Sequence, residues 1–265
     1  KSTTIPYNYK FTIYQGGYGG LNLQNYSKKI IKPVHFTSDK NFIRMFIKFF
    51  KLLHNIFYGL KLLNENDICH HDINTRNILI NDNKSYIIDY DISLKINSNL
   101  KENDFLKTRM TEEFNSRRIY ESYPYEYIYY NLKDKKSILD EQKNIAREEY
   151  RINYNESYEP IHHKLFNIDI DNLRFEMLED KLSNENIQDL TELIKKLDVY
   201  SLGMVIFIIF IDICEEYDIP VDDLIILLKL KRLRPFMNLI GDMVKLDYRD
   251  RIDIHEAYER YLNLI

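Results

Sequence analysis

The stretch that decides the fold is His70-His-Asp-Ile-Asn-Thr-Arg-Asn77, which is followed after two apolar segments by Asp89-Tyr-Asp91. A carboxylate and a carboxamide, Asp72 and Asn77, stand five residues apart, and another carboxylate follows twelve residues later at Asp89. Phosphoryl transfer from ATP needs a carboxylate to align a hydroxyl group and oxygen ligands to hold magnesium. One loop, together with the end of the strand that follows it, can supply both.

The residues between these two sites predict a β-hairpin. Ile78-Leu-Ile80 and Tyr86-Ile-Ile88 are apolar, and Asn81-Asp-Asn-Lys84 between them contains residues that tolerate left-handed backbone. Upstream, apolar residues recur at helical spacing from Phe42 to Asn64 and predict one long amphipathic helix.

Beyond the hairpin the sequence predicts a mainly α chain. Residues 97–123 are polar and are predicted to be mostly irregular. Helices are predicted at Leu197–Ile213, Val221–Leu233, Pro235–Lys245 and Asp253–Leu264. The most apolar run, Leu202–Ile211, is far shorter than the roughly 20 residues of a membrane span, so we expect a buried core helix and no membrane association.

Composition excludes several classes of function. The 265 residues carry a net charge of −4, so we expect no general binding of nucleic acid, which requires a basic face. The two cysteines, Cys69 and Cys214, have no disulfide or zinc spacing, and no secretory signal is visible, so we expect an intracellular, cytoplasmic location. Because the chain begins at Lys1, we expect it to be a fragment of a longer protein.

The residues from 70 to 91 resemble the protein-kinase family, whose catalytic loop reads H-R-D-x-x-x-x-N and whose metal-binding turn reads D-F-G. By that resemblance Asp72 is the catalytic base, Asn77 a magnesium ligand and Asp89 the main magnesium ligand. Asp198-Val-Tyr-Ser-Leu-Gly203 is similar to the start of the family's buried central helix, D-x-x-S-L-G. The resemblance implies a kinase-like C-terminal lobe, a helical bundle around that helix with a small β-hairpin at the catalytic loop, in which Asp198 holds the loop backbone.

Two further positions are similar to the family pattern. Arg251 matches an arginine near the C-terminal end of the lobe, and Pro124-Tyr-Glu126 is the candidate for the A-P-E motif with which that arginine pairs. The resemblance therefore implies a buried ion pair between Glu126 and Arg251.

The glycine cluster Gly16-Gly-Tyr-Gly-Gly20 lies only 50 residues before the catalytic loop, which leaves no room for the strands and helix of a kinase small lobe. It resembles instead the hinge between the lobes. On this interpretation Gln15, Gly16 and Gly17 face the adenine of ATP, and Leu79 lies beneath it. The N-terminal kinase lobe is then expected before residue 1, and the C-terminal lobe is expected to occupy residues 1–265 with an insert at 131–187.

Three residues depart from the family pattern. His71 stands in place of the H-R-D arginine, Asn74 in place of a lysine that contacts the transferred phosphate, and Asp91 in place of the D-F-G glycine. Arg76 is a candidate for supplying the missing positive charge. Asp91 is either a second metal ligand, as in small-molecule kinases, or a solvated loop residue.

The resemblance implies a phosphotransferase that moves the γ-phosphate of ATP to a hydroxyl of a protein substrate, with Mg²⁺ as cofactor. Serine or threonine is the expected acceptor, and tyrosine stays open. Two alternatives remain: a catalytically inactive kinase-like scaffold, favoured by the departures at 71, 74 and 91, and a small-molecule kinase of related fold. The insert is expected to be a surface excursion or a docking element.

Overall fold

The computed structural model describes residues 19–96, 100, 103–109, 124, 164–166 and 187–265. These residues are mainly helical, which confirms the predicted mainly α class. The adenine-facing residues Gln15, Gly16 and Gly17 lie outside the described residues, as do Glu126 and nearly all of the 131–187 insert.

The described part of the chain contains eight helices of at least eight residues, five short strands and a few shorter helical segments. The helices are α1 Leu23–Ile30, α2 Asp39–Leu52, α3 His54–Glu65, α4 Ile187–Lys195, α5 Leu197–Glu216, α6 Val221–Leu228, α7 Arg234–Met243 and α8 Ile254–Leu262. The strands are β1 Leu21–Asn22, β2 Ile68–Cys69, β3 Ile78–Asn81, β4 Lys84–Ile87 and β5 Leu94–Lys95, and a 3₁₀ helix spans Pro33–Thr37. Residues 104–109 and 164–166 are also helical.

The predicted hairpin is confirmed. β3 and β4 pair antiparallel, with Asn81 opposite Lys84, and β1 pairs with the other side of β3. Asp82 and Asn83 connect the strands with φ angles of 49° and 60°. Two consecutive positive φ angles are those of a type I′ turn, whose twist matches the flanking strands. The hairpin therefore directly follows the loop that carries Asp72.

Helix α5 is the centre of the bundle, and every residue from Leu197 to Ile211 is buried. The longer segment Leu190–Glu216 is apolar enough to cross a membrane by length and composition, but 89% of its most apolar window is buried within the protein. This burial agrees with the predicted core helix. Phe210 of α5 packs against Phe46 of α2, with ring centroids 5.3 Å apart.

The single helix predicted from Phe42 to Asn64 is wrong: α2 and α3 meet at a break at Leu53. A break without glycine or proline needs another group for the carbonyls that it releases. The buried hydroxyl of Tyr261 in α8 donates to the carbonyl oxygens of Phe50, at 3.0 Å, and Lys51, at 3.3 Å. The compensating donor lies some two hundred residues away in the sequence, so local periodicity could not reveal the break.

Another predicted helix needed correction. The helix predicted at Val221–Leu233 ends at Leu228, and residues 229–233 form turns. Within the segment 97–123, which was predicted to be mostly irregular, residues 104–109 are helical. In that short helix the side chain of Asn103 accepts a hydrogen bond from the N–H of Leu106 at 3.0 Å, so a capping residue starts it.

Candidate active site

The loop from residue 70 to residue 77 is anchored to the central helix by Asp198. The buried carboxylate of Asp198 accepts hydrogen bonds from the backbone N–H of His70 at 2.7 Å and of His71 at 2.9 Å. Burial raises the pKa of Asp198, while His70 and the two N–H groups oppose the rise. The expectation that Asp198 holds the backbone of this loop is confirmed.

Within the loop, Asp72 and Asn77 are brought together. The Nδ2 group of Asn77 donates to the Asp72 carboxylate at 2.7 Å and to its backbone carbonyl at 3.0 Å. Asn74 donates to the other carboxylate oxygen at 2.8 Å, and its own side-chain oxygen accepts from the backbone N–H of Arg76 at 2.9 Å. Two amides therefore orient the half-buried carboxylate of Asp72, which stays within reach of solvent.

Asp89 follows β4, and its backbone lies next to the backbone of Asn77. The N–H of Ile88, the residue before Asp89, donates to the carbonyl of Asn77 at 3.0 Å. Asp89 is exposed and has a φ of 67°, and His71 has a φ of 70°. Positive φ is uncommon outside glycine, and residues held there cluster at functional sites. Two of the positive-φ residues therefore flank the pair formed by Asp72 and Asn77.

His70 joins the loop to the turn that contains Asp89. Its buried ring accepts a hydrogen bond from the N–H of Asp72 at 3.3 Å and lies 3.1 Å from the carbonyl of Ile88. The ring also packs edge-on against Tyr90, with centroids 4.7 Å apart. His70 therefore has a structural role, because its ring connects the loop to this turn. The contact with Tyr90 was missed, because the sequence holds no signal that relates these two rings.

His71, at the position of the family's arginine, is buried and neutral. Burial first, and then the nearby charge of Arg109, lower its pKa to about 3. A neutral imidazole carries no charge with which to bind a phosphorylated segment, as an arginine would. Arg109 belongs to the helical segment 104–109, and nothing in the sequence indicated its proximity to His71.

The end of the glycine cluster lies against β3 beside Leu79. A Cβ atom on Gly19 would stand 2.9 Å from the side chain of Leu79, and one on Gly20 would stand 2.2 Å from the carbonyl oxygen of Ile80. Gly20 also has a φ of 99°. Only glycine fits such a close approach with that backbone. Half-buried Leu79 is therefore next to Gly19, and the residues predicted to face the adenine, Gln15, Gly16 and Gly17, lie outside the described residues.

Two protein oxygens are candidates for holding magnesium. Because Nδ2 of Asn77 faces Asp72, the side-chain oxygen of Asn77 is one candidate ligand, and the Asp89 carboxylate is the second candidate. Carboxamide and carboxylate oxygens suit Mg²⁺, which keeps several water or phosphate ligands. In the described part of the chain no three His, Cys, Asp or Glu side chains cluster around a metal position. Arg76 and Asp91 are exposed, and no described hydrogen bond holds either side chain.

Arg251 is buried at the end of the bundle. Its guanidinium donates to the carbonyls of Lys245 and Leu246, each at 2.9 Å, and lies 4.6 Å from the centre of the Tyr200 ring. Glu126, its predicted partner, is outside the described residues, so the ion pair stays a prediction. Pro124 of the same motif is buried.

No protein-family model matches this chain. No curated protein matches it in sequence.

Proposed function

We propose that this chain is the C-terminal lobe of a divergent protein kinase, which transfers the γ-phosphate of ATP to a hydroxyl of a protein substrate. The observation that carries the proposal is the loop itself: Asn77 is hydrogen-bonded to Asp72, and Asp198 of the central helix binds the loop backbone. The placement of Asp89 one residue past the backbone partner of Asn77 supports it further.

In the proposed reaction the Asp72 carboxylate accepts the proton of the substrate hydroxyl as it attacks the γ-phosphate. The amides of Asn74 and Asn77 hold that carboxylate in one orientation. Asn77 and Asp89 would hold Mg²⁺, which when bound offsets the negative charge of the phosphates. Because Asn74 is engaged within the loop, exposed Arg76 is the candidate for contacting the transferred phosphate. Serine or threonine is the proposed acceptor.

The proposal includes an N-terminal lobe before residue 1, which would complete the ATP site together with Gln15, Gly16, Gly17 and Leu79. An intracellular, cytoplasmic location is proposed with it. Cys69 and Cys214 are both buried free thiols whose pKa is raised, first of all by burial. Such cysteines are unreactive and suit a reducing compartment.

The test is phosphate transfer from labelled ATP with Mg²⁺, in the protein that includes the preceding lobe. Asp72→Asn and Asp89→Asn should each lower the rate by about 10²–10⁴-fold, while Asp82→Asn in the hairpin turn should leave it unchanged. Asparagine tolerates the positive φ at Asp89 and Asp82, so the backbone is matched. Transfer that survives both site substitutions would refute the mechanism.

An inactive scaffold is the second candidate, and the engagement of Asn74 favours it. Active serine/threonine kinases usually place a lysine there. In this chain the nitrogen and the oxygen of the Asn74 side-chain amide are both hydrogen-bonded within the loop. If the chain is a scaffold, the Asp72→Asn variant should bind the partner as well as the wild type does, and no variant should transfer labelled phosphate. Transfer by the wild-type protein that is lost in Asp72→Asn would exclude this alternative.

A further inference from the structure

Helix α2 presents a strongly basic face to solvent, although the whole chain has a net charge of −4. Four exposed cations follow one another along it at spacings of three or four residues: Lys40, Arg44, Lys48 and Lys51. Its only acidic residue is Asp39 in the first turn. Residues three or four apart lie on the same side of a helix, so the four charges form one stripe.

Two depressions lie side by side along this stripe. The first, of about 320 Å³, runs between α2, the 3₁₀ helix and the end of α1, and its apolar lining is Ile30, Val34 and Met45. The second, of about 400 Å³, reaches the hairpin turn at Asn83 and has Ile47 and Leu52 in its lining.

Arg44 and Lys48 line both depressions and stand between them. No acidic residue is among the described residues that line either one. None of the ion pairs between described residues includes these two cations or Lys51. Val34 on the rim is 58% exposed, so apolar surface and unneutralised positive charge occur together.

The spacing of the depressions fits an extended peptide. Their α2 residues are centred roughly one helical turn apart, which is about 5–6 Å. Side chains that point the same way from an extended strand are about 6.6 Å apart. Two apolar side chains at alternate positions can therefore enter the two depressions, and acidic side chains two positions further out would lie near the ends of the stripe, one of them at Lys51.

We propose that this face, defined by Arg44, Lys48, Lys51 and the two depressions, docks an extended acidic segment of a partner protein with the pattern acidic-x-apolar-x-apolar-x-acidic. The apolar linings favour a peptide over nucleic acid, whose recognition uses phosphate contacts along a broader basic surface. The concave shape and the net negative charge of the chain disfavour a membrane surface. The proposal does not depend on phosphoryl transfer.

The experiment measures fluorescence polarisation of a labelled peptide, Glu-Ser-Leu-Ser-Leu-Ser-Glu, with the 265-residue chain and without nucleotide. Arg44→Glu/Lys48→Glu should weaken binding at least about tenfold. The matched control, Lys231→Glu/Arg232→Glu, makes the same charge change at two exposed residues outside the face and should alter the Kd by less than about twofold. Peptides with Gln for Glu, or Ala for Leu, should each bind the wild-type chain at least about tenfold more weakly.

Three results would overturn the proposal. The first is equal binding of the peptide by the Arg44→Glu/Lys48→Glu and control variants. The second is undiminished binding of the peptide that has Ala for Leu, because charge alone would then suffice. The third is tighter binding of an oligouridylate, or of phosphatidylserine vesicles, that is lost in Arg44→Glu/Lys48→Glu. Because nucleotide is absent, none of these results bears on Asp72, and failure of phosphoryl transfer would leave the docking result unchanged.

Discussion

Asp198, His71 and Arg251 are polar side chains that lie buried in the structure. Each is removed from water and must be compensated by the groups around it. The role of Asp198 could be predicted from its place in the D-x-x-S-L-G pattern. The contact between His71 and Arg109 could not, because it depends on how a segment nearly forty residues away folds back.

The buried neutral state of His71 predicts a pH dependence of the free energy of unfolding. Its pKa falls from 6.5 in the unfolded chain to about 3 in the folded one. Between these values the unfolded chain binds the proton and the folded chain does not, so stability is full above pH 6.5 and is lost as the pH falls towards 3. The loss should be about 1.4 kcal/mol per pH unit.

Urea unfolding of wild type and His71→Asn at pH 7, 6 and 5 measures this effect. Asparagine tolerates the φ of 70° and does not titrate, so the variant lacks the contribution of His71 to the pH dependence of the free energy of unfolding. The wild type should lose more stability than the variant as the pH falls, by roughly 2 kcal/mol at pH 5. Parallel pH profiles for the two proteins would show that His71 is not buried in its neutral form.

Arg251 and Arg249 form a matched pair for testing a buried against an exposed guanidinium. Arg251→Ala removes a buried cation that donates to two carbonyls and should lower the free energy of unfolding by about 3–5 kcal/mol. Arg249 is half-exposed and paired with Asp247, so Arg249→Ala should lower the free energy of unfolding by less than about 1 kcal/mol. If the predicted ion pair forms, Glu126→Ala should match Arg251→Ala in thermal melting, and an unchanged melting temperature in Glu126→Ala would dismiss the pair.

At the scale of elements, the hairpin was predictable and the helix break was not. Asn81-Asp-Asn-Lys84 contains the residues that a type I′ turn requires, so sequence chemistry and structure coincide there. Leu53 continues an unbroken apolar period, whereas the hydroxyl of Tyr261 in α8, which donates to a carbonyl at the break, has no counterpart in the local sequence pattern. Long-range packing of this kind leaves no trace in local periodicity.

The hydroxyl of Tyr261 is predicted to stabilise this break. Tyr261→Phe leaves the ring stacked on Phe57 but removes the donor to two carbonyls, so the free energy of unfolding should fall by about 1–2 kcal/mol. Tyr258→Phe is the control, because its hydroxyl makes no hydrogen bond with a described residue, and it should change stability by less than about 0.5 kcal/mol. Denaturant titration of both variants gives the comparison, and equal effects would mean that the carbonyls find other donors.

Close packing of α5 against the end of α7 and the residue that follows it makes Gly203 intolerant of a side chain. A Cβ atom there would lie 2.5 Å from Val244 and 3.2 Å from Met243, so Gly203→Ala should cost about 1–3 kcal/mol. In Gly59→Ala on α3 the nearest atom is the mobile end of Ile87 at 3.3 Å, and the helix propensity of alanine favours the variant by up to about 1 kcal/mol. Thermal melting should therefore fall for Gly203→Ala and hold or rise for Gly59→Ala. The reverse order would contradict this packing.

At the scale of the whole molecule, the sequence could predict which residues can take part in the proposed chemistry, but not all of the groups that surround them. Asp72, Asn77 and Asp198 were found because their spacing matches a family pattern, and their hydrogen bonds follow it. The basic face of α2 was missed, because its meaning depends on the neighbouring 3₁₀ helix and hairpin turn, which form the two depressions. The sequence indicates what single residues can do chemically, whereas a concave surface forms only when separate elements pack together.

We propose that Asp72, Asn77 and Asp89 share one metal-dependent site. Anomalous diffraction from crystals of the protein with its preceding lobe, Mn²⁺ and a non-hydrolysable ATP analogue tests it most directly. Manganese should lie within about 2.5 Å of the side-chain oxygens of Asn77 and Asp89, with the Asp72 carboxylate beside the γ-phosphate. An Asp89 carboxylate that points away from the manganese, or a manganese bound elsewhere, would contradict the account.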